Sequence, residues 1–336
     1  MIASQWVRVA MSFSIAFAAV PAAAFDCPAA PPAVRDIKAQ GYYEDKAGSI
    51  VDEQKKRENE EMTRPLNDFL RQVTNMTDSF AAERDEAVAR CALDWMAGWA
   101  QGGALLGKMV RVNNDQSYYM RKWTHGGLAI TYLRLSEHAT PEQRAQIEPW
   151  LKRVALADLA FFDDPKKSRN NHYYWTGVGV MATAVATGDK GLLRAAADIY
   201  QAGVNDIQDD GSLPMEMRRA QKALHYHNFA LDPLVIMAEM ARVNGMDWYA
   251  YQEHRIDRLA DRVADGFRDS AWFTQQAGVA QEEKKPGVDS GWVEFYRLRA
   301  PHPERFDDVH KAGPFVDSRA GGNMTAMAQQ GIVLPR

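Results

Sequence analysis

The chain has 336 residues, of which 46% are hydrophobic and 25% charged. This composition is typical of a packed globular protein and excludes a disordered or fibrous chain. The formal net charge of −4 at pH 7 argues against a general nucleic-acid binder, because such domains are basic overall. Any affinity for a polyanion must therefore come from a local group of basic side chains.

The first 24 residues are typical of a secretory signal peptide. A single cation, Arg8, is followed by an apolar run over residues 9–20 and by alanines at the −1 and −3 positions of a cleavage site after Ala24. The apolar run is shorter than the roughly 20 residues that a membrane-spanning helix needs. We therefore predict cleavage after Ala24, a periplasmic protein without a membrane anchor, and one mature domain over residues 25–336.

The chain contains two cysteines, Cys27 and Cys91. In an exported protein these predict one disulfide, with two free thiols as the alternative. Neither cysteine has a CxxC partner, so a zinc site built on them is not expected.

Helical periodicity begins at about residue 62, after an irregular stretch over residues 25–60 with several prolines and glycines. Leu66, Phe69, Leu70 and Val73 then lie on one face of a helix. Strand patterns are weak, which predicts an all-α domain of roughly a dozen helices, arranged as an α/α toroid or as a solenoid. Further helices are predicted over residues 125–137, 141–161, 173–187, 190–205, 217–243 and 252–268.

A first polar cluster covers residues 165–177, directly before an apolar helix. Cations are followed by two asparagines, a histidine and three aromatic residues. A helix N-terminus attracts anions because its N–H groups are unpaired. Taken singly, the asparagines could be helix caps and the aromatic residues could be core. Together they predict a binding site, with the candidates Lys166, Asn171, His172 and Trp175.

A second cluster covers residues 213–228. Arg219 and Tyr226 are seven residues apart, which would place them on one face of a helix. Arg218, Lys222 and His225 form a neighbouring basic stripe. A solvated cationic helix face is the alternative, but the interleaved aromatic and imidazole groups favour a site.

These residue types suit one chemistry in particular. An arginine and an asparagine can bind a carboxylate, which eases removal of the proton on the adjacent carbon. A histidine and a tyrosine can move protons. The combination predicts β-elimination in a chain of uronic acids, with Tyr118, Tyr119, Trp123 and Trp175 stacking on sugar rings. Two alternatives stay open: a non-catalytic protein that binds acidic sugars, and a glycoside hydrolase on the same fold.

The chain resembles the periplasmic alginate lyases of polysaccharide lyase family five, which are mannuronate lyases. The resemblance covers residues from about 40 to 300. It rests on the stretches CALDWM at 91–96, MRKW at 120–123, NNHYYW at 170–175, and Arg219 followed by YHN at 226–228.

The resemblance implies an incomplete (α/α) toroid with a deep groove, without metal or cofactor, that cleaves 1,4-linked polyuronates and leaves a 4,5-unsaturated uronate. Asn171 and Arg219 look like the groups that neutralise the carboxylate. His172 looks like a neutraliser or base near C5, and Tyr226 like the general base and acid. Cys27 and Cys91 match a family disulfide. The other implied substrate contacts are Tyr43, the lid-loop lysine Lys46, Tyr119, Arg121, Trp123, Lys166, Trp175, Lys222 and His225.

Three features differ from the alginate-specialised pattern. Residues 45–49 read DKAGS where a Ser-Lys-Tyr-like stretch is expected, His225 replaces a small or apolar residue, and Tyr118 and Tyr119 are bulkier than expected. These differences leave the reaction unchanged but the substrate open among polymannuronate, polyglucuronate and hyaluronan. We expect a monomer that binds an anionic polysaccharide and neither nucleic acid nor membrane.

Overall fold

A computed structural model describes residues 25–332. The predicted signal peptide and its cleavage site lie outside these residues. The helices are α1 Glu53–Glu83, α2 Glu86–Gln101, α3 Gln116–Leu135, α4 Pro141–Phe161, α5 Asn171–Thr187, α6 Lys190–Asn205, α7 Pro214–Met217, α8 Ala223–Val243, α9 Tyr251–His254, α10 Ile256–Arg268, α11 Ala271–Ala277, α12 Trp292–Tyr296, α13 Asp307–His310 and α14 Met324–Gln330. Strands β1 Ile37–Ala39 and β2 Met109–Arg111 pair in parallel, and β3 Val316–Asp317 and β4 Gly322–Asn323 pair antiparallel.

The long helices form two layers. Helices α3, α5 and α8 are buried on nearly every face, and α5 packs between the other two. Helices α4, α6 and α10 bury one face each and pack around this central group. In α6, for example, Leu192, Ala196, Ile199 and Tyr200 are buried at helical spacing. The all-α prediction is confirmed, and no helix within residues 25–332 is long and apolar enough to cross a bilayer.

Helix α5 begins earlier than its apolar periodicity predicted. The side chain of Asn170 accepts a hydrogen bond from the main-chain N–H of His172 at 3.2 Å, so Asn170 is the helix cap. The helix ends at Gly188, whose φ of +65° is readily adopted only by glycine. This start places Asn171 and His172 in the first turn of a central helix.

The helix predicted over residues 217–243 is interrupted in the structure. Helix α7 ends at Met217, Ala220 has a φ of +50°, and α8 begins at Ala223. The break is held by Gln281, whose Nε2 donates to the carbonyl oxygen of Ala220 at 3.0 Å. Arg219 and Tyr226 therefore do not share a helix, and the seven-residue spacing was the wrong reason to place them together.

The segment before α1 lies against α2. The predicted disulfide between Cys27 and Cys91 is present, with a Cα–Cα distance of 5.6 Å. The indoles of Trp95 and Trp99 donate to the carbonyl oxygens of Pro28 and Pro31, at 2.8 and 3.0 Å. These contacts attach the start of the described chain to the helical core.

Candidate active site

The two predicted polar clusters meet in the structure through a buried carboxyl group. Glu216 in α7 accepts hydrogen bonds at its Oε1 from the main-chain N and the side-chain Nδ2 of Asn171, both at 2.9 Å. Asn171 is fully buried and Glu216 is 1% exposed. The start of α5 is therefore tied directly to the segment that carries Arg219.

Arg219 lies over the ring of Tyr226, although the helix between them is broken. The guanidinium carbon is 3.6 Å from the ring centroid, and the Tyr226 hydroxyl is 2.6 Å from that of Tyr43. Burial raises the pKa of Tyr226 well above its usual value, and the Arg219 charge only partly opposes this rise. Tyr226 is therefore a protonated phenol at neutral pH in this closed state.

His172 is held as a neutral imidazole. Its ring stacks on Tyr119, with centroids 3.7 Å apart and planes 10° from parallel, and Trp123 is 5.9 Å away. Burial lowers the pKa of His172 well below its usual value, and the positive charges of Lys122 and Arg219 lower it further. Within residues 25–332 its Nδ1 has no hydrogen-bond partner. This nitrogen can accept a proton.

Lys122 supports His172 from inside the core. Its Nζ donates to the carbonyl oxygen of His172 at 2.8 Å and lies 4.6 Å from the Tyr119 ring centroid. The residue is 3% exposed, and burial lowers the pKa of its ammonium well below the usual value. Lys122 thus fixes the backbone at the start of α5 next to the stacked ring.

Residues 42–52, here called the lid, form a tight loop. The main chains of Glu44 and Ile50 are hydrogen-bonded, and the Asp45 carboxylate accepts from the N–H groups of Ser49 and Ile50, both at 2.7 Å. Gly48 has a φ of +66°, and a Cβ at this position would come within 2.6 Å of the Arg219 guanidinium. A glycine is therefore required where the lid approaches Arg219.

The lid closes over the site through neutral acceptors. Arg219 donates to the carbonyl oxygen of Gly48 at 3.0 Å, and Gln221 Nε2 donates to that of Ser49 at 3.1 Å. Tyr43 brings the lid onto the Tyr226 hydroxyl. Lys46 is exposed at the turn of the lid. The structure thus places Tyr43, a predicted substrate contact, beside Tyr226.

Residues 281–289, here called the wall loop, contact the start of α8. Lys222 Nζ is 2.5 Å from Glu282 Oε2, and His225 Nδ1 is 3.9 Å from Glu282 and 3.8 Å from Asp289. Lys284 also pairs with Asp289 at 3.0 Å. Burial lowers the pKa of His225 to about 4. The ring of His225 lies 4.9 Å from that of Tyr226, so this charged cluster borders the site.

The chain is similar in sequence to known proteins. The alginate lyase family profile matches residues 36–273, which is more than half of the chain. The chain belongs to the alginate lyase family. A polysaccharide lyase of Stenotrophomonas maltophilia strain K279a is 53% identical, over 91% of this chain and 92% of that protein. An alginate lyase of Pseudomonas fluorescens strain Pf-5 is 35% identical, over 89% of this chain and 83% of that protein.

Solved structures agree with this family assignment. Alginate lyase A1-III from Sphingomonas species A1 superimposes with a TM-score of 0.76 at 27% identity, covering 90% of this chain and 87% of that chain. A variant of alginate lyase A1-III complexed with a tetrasaccharide gives a TM-score of 0.80 at 26% identity, with the same coverage. The fold is therefore the (α/α) toroid, as predicted, and this family member is a polysaccharide lyase.

Two residues predicted to bind substrate lie in the core of this family member. The guanidinium of Arg121, 6% exposed, donates to Asp158 and to the carbonyl oxygen of Ala157, both at 2.6 Å. Trp175 is 1% exposed, and its indole donates to the carbonyl oxygen of Phe229 at 3.0 Å. The structure thus places both side chains in the core, where each satisfies its polar atoms inside the protein.

The other residues predicted to contact substrate lie at different distances from His172 and Tyr226. Tyr119 and Trp123 pack on His172. His225 lies beside Tyr226, and both His225 and Lys222 face the wall loop. Lys166 is exposed in the turn before α5, and within residues 25–332 no hydrogen bond or ion pair joins its side chain to the site.

Sequence reasoning missed several residues of the site. Glu216 stands alone as an acid among cations, three residues before Arg219, and this isolation was the available signal. Gln221, which holds the lid, had no distinguishing signal. Among the described residues, no group of three or more His, Cys, Asp or Glu side chains could hold a metal ion.

Proposed function

We propose that this polysaccharide lyase cleaves alginate at 1,4-linked mannuronate by β-elimination, leaving a 4,5-unsaturated uronate at the new non-reducing end. The observation that carries the proposal is that Asn171 and His172 at the start of α5 meet Arg219 and Tyr226 under one lid. The four side chains supply the carboxylate binding and the proton transfer that this reaction requires.

In this proposal, Asn171 and Arg219 bind the carboxylate of the substrate. Within residues 25–332 no carboxylate pairs with Arg219 within 4.0 Å, and its bond to Gly48 goes to a neutral carbonyl oxygen. A substrate carboxylate can replace that oxygen, because the charge-assisted pair is the stronger interaction. Binding withdraws charge from the carboxylate and makes the C5 proton more acidic.

In this proposal, Tyr226 carries out both proton transfers when the substrate is mannuronate. In mannuronate and glucuronate the C5 proton and the C4 oxygen lie on the same face of the ring. The ionised Tyr226 takes the C5 proton, the C4–O bond breaks as the C4–C5 double bond forms, and Tyr226 returns the proton to the leaving oxygen. Because the pKa of Tyr226 is raised, its ionised form is scarce at neutral pH, and turnover should rise with pH.

Guluronate requires a second group, because its C5 proton and C4 oxygen lie on opposite faces. The neutral His172 is the proposed base there, with Tyr226 as the acid. We expect guluronate to be the poorer substrate, since one tyrosine no longer serves both steps.

Polyglucuronate and hyaluronan remain further proposed substrates, suggested by the lid sequence, His225 and the bulky Tyr118 and Tyr119. A periplasmic, monomeric enzyme with one domain over residues 25–336 is part of the same proposal. The family assignment favours a lyase over both a sugar-binding protein and a glycoside hydrolase.

The experiment is to incubate the protein separately with polymannuronate, polyguluronate, polyglucuronate and hyaluronan and to follow ultraviolet absorbance. The conjugated product absorbs, whereas hydrolysis would release reducing ends without absorbance and a binding protein would release nothing. Absorbance that rises fastest with polymannuronate supports the proposal. Saturated products from every polymer would refute it.

A further inference from the structure

Glu216 is a buried acid that the reaction itself does not use. It is 1% exposed, and its Oε1 accepts from both the main-chain N and the Nδ2 of Asn171 at 2.9 Å. Within residues 25–332 its Oε2 has no hydrogen-bond partner. Burying a carboxyl group costs folding free energy, so the position of Glu216 next to Asn171 requires an explanation.

The two hydrogen bonds determine which end of the Asn171 amide faces Glu216. A main-chain N–H can only donate, so the Oε1 atom that it contacts is an acceptor. The side-chain group within 2.9 Å of the same atom is the NH2 end of the amide, because an unprotonated Oε1 would repel the amide oxygen. A proton on the carboxyl group would be carried by the free Oε2. One N–H of Asn171 is thereby bound to Glu216, and the second remains for a ligand.

An amide without such a partner can turn over at almost no steric cost, since its two ends have nearly the same shape. The turned amide would present an oxygen to the substrate carboxylate and repel it. Glu216 also contacts Arg219, because the main-chain N of Arg219 donates to the main-chain carbonyl oxygen of Glu216 at 3.0 Å. The two carboxylate-binding groups thus contact the same residue, Asn171 through its carboxyl group and Arg219 through its main chain.

We propose that Glu216 is a positioning residue that holds the Asn171 amide with its N–H toward the uronate carboxylate. This inference rests on the proposed function, in which Asn171 binds that carboxylate. The contact needs an acceptor oxygen and no negative charge, because Oε1 accepts in either protonation state of the carboxyl group. Burial raises the pKa of Glu216, which agrees with a role that does not need the ionised form.

The test is a double-mutant cycle on kcat and KM with polymannuronate. Glu216→Gln keeps a carbonyl oxygen for both N–H groups, whereas Glu216→Met keeps the length and removes the acceptor. We expect Glu216→Gln to retain activity within about threefold, and Glu216→Met to lose about thirtyfold in kcat/KM. In the Asn171→Ala background, Glu216→Met should cost less than about threefold, because the amide that it orients is gone.

The outcomes distinguish carboxylate binding by Asn171 from the positioning role of Glu216. If Asn171→Ala alone leaves kcat/KM unchanged, the proposed carboxylate binding fails. If Asn171→Ala is impaired but Glu216→Met costs the same with and without Asn171, the positioning role fails. Circular dichroism and the melting temperature verify that each variant folds. If Glu216→Met does not fold, Glu216→Gln decides, since a loss as large as that of Asn171→Ala would overturn the role.

Discussion

The lid and the wall loop both contact residues 219–225, but they do so with different chemistry. The lid offers backbone carbonyl oxygens to Arg219 and Gln221. The wall loop offers the carboxylate of Glu282 to Lys222. Two neighbouring residues, Gln221 and Lys222, therefore hold two different loops, one by a neutral hydrogen bond and the other by an ion pair.

This difference separates cations that can serve a substrate from cations that already have a partner. Arg219 keeps its charge for an incoming anion, because the lid gives it only a neutral acceptor. Lys222 is neutralised by Glu282 before any substrate arrives. Nearness to Arg219 in the sequence is thus a poor guide to which basic residue binds the polymer.

The largest expected effect is at Tyr226, where lid and helix meet. Tyr226→Phe removes only the hydroxyl, so it should lower kcat on polymannuronate on the order of a thousandfold while changing KM little. Steady-state kinetics from ultraviolet absorbance measure this. Tyr43→Phe is the matched control, because it removes the other hydroxyl of the same hydrogen bond and should cost about tenfold or less. Equal losses in both variants would place the proton transfer elsewhere.

Arg219→Ala should have the next largest effect. It removes the carboxylate-binding charge and one lid contact together, so we expect kcat/KM to fall about a hundredfold. Arg121→Ala is not a fair control because that side chain is buried, whereas Arg218→Ala changes the exposed neighbour and should leave kcat/KM within about twofold. A similar loss at both arginines would indicate a general effect of surface charge.

Substitution of Gln221 and of Lys222 tests the difference between the lid and the wall loop. Gln221→Met loosens the lid and should raise KM about threefold without lowering the melting temperature. Lys222→Met leaves Glu282 unpaired and should lower stability by about 1 kcal/mol, with KM within about twofold of the unmodified protein. Urea unfolding and steady-state kinetics on both variants give the answer. A KM effect that is larger at Lys222 would show that this lysine binds the polymer after all.

A last prediction concerns the pH dependence of stability at the start of α8. His227 Nε2 accepts from the N–H of Leu213 at 2.8 Å, so Nδ1–H donates to Ala223, and burial lowers the pKa of His227 to about 4. Because the unfolded chain takes up this proton near pH 6.5, His227 should lower stability by about 1.4 kcal/mol for each pH unit from 6.5 toward 4. His172 and His225, whose pKa values burial also lowers, add to this slope.

Urea unfolding between pH 7 and pH 5 measures this slope. His227→Gln should reduce it by about 1.4 kcal/mol per pH unit, since one of these three titrating groups is gone. The exposed His302→Gln is the control and should leave the slope unchanged. An unchanged slope in His227→Gln would assign the pH dependence to another group.

Local patterns in the chain were sufficient for much of the fold. Helical spacing predicted α4 and α6 to the residue, because apolar periodicity and caps act within a few positions of each other. The cysteine pair and the all-α class also followed from sequence. The stretches NNHYYW and YHN indicated the family, because they contain the candidate active-site residues Asn171, His172 and Tyr226.

Only the tertiary structure decided which polar residues share the site. Arg121 and Lys222 look alike in sequence to Arg219, yet Asp158 and Glu282 neutralise them from distant parts of the chain. Arg219 reaches Tyr226 across a break in the helix, which Gln281 holds from another loop. The charge available at a cation depends on its partner in space, and sequence spacing does not specify partners that lie 37 or 60 residues away.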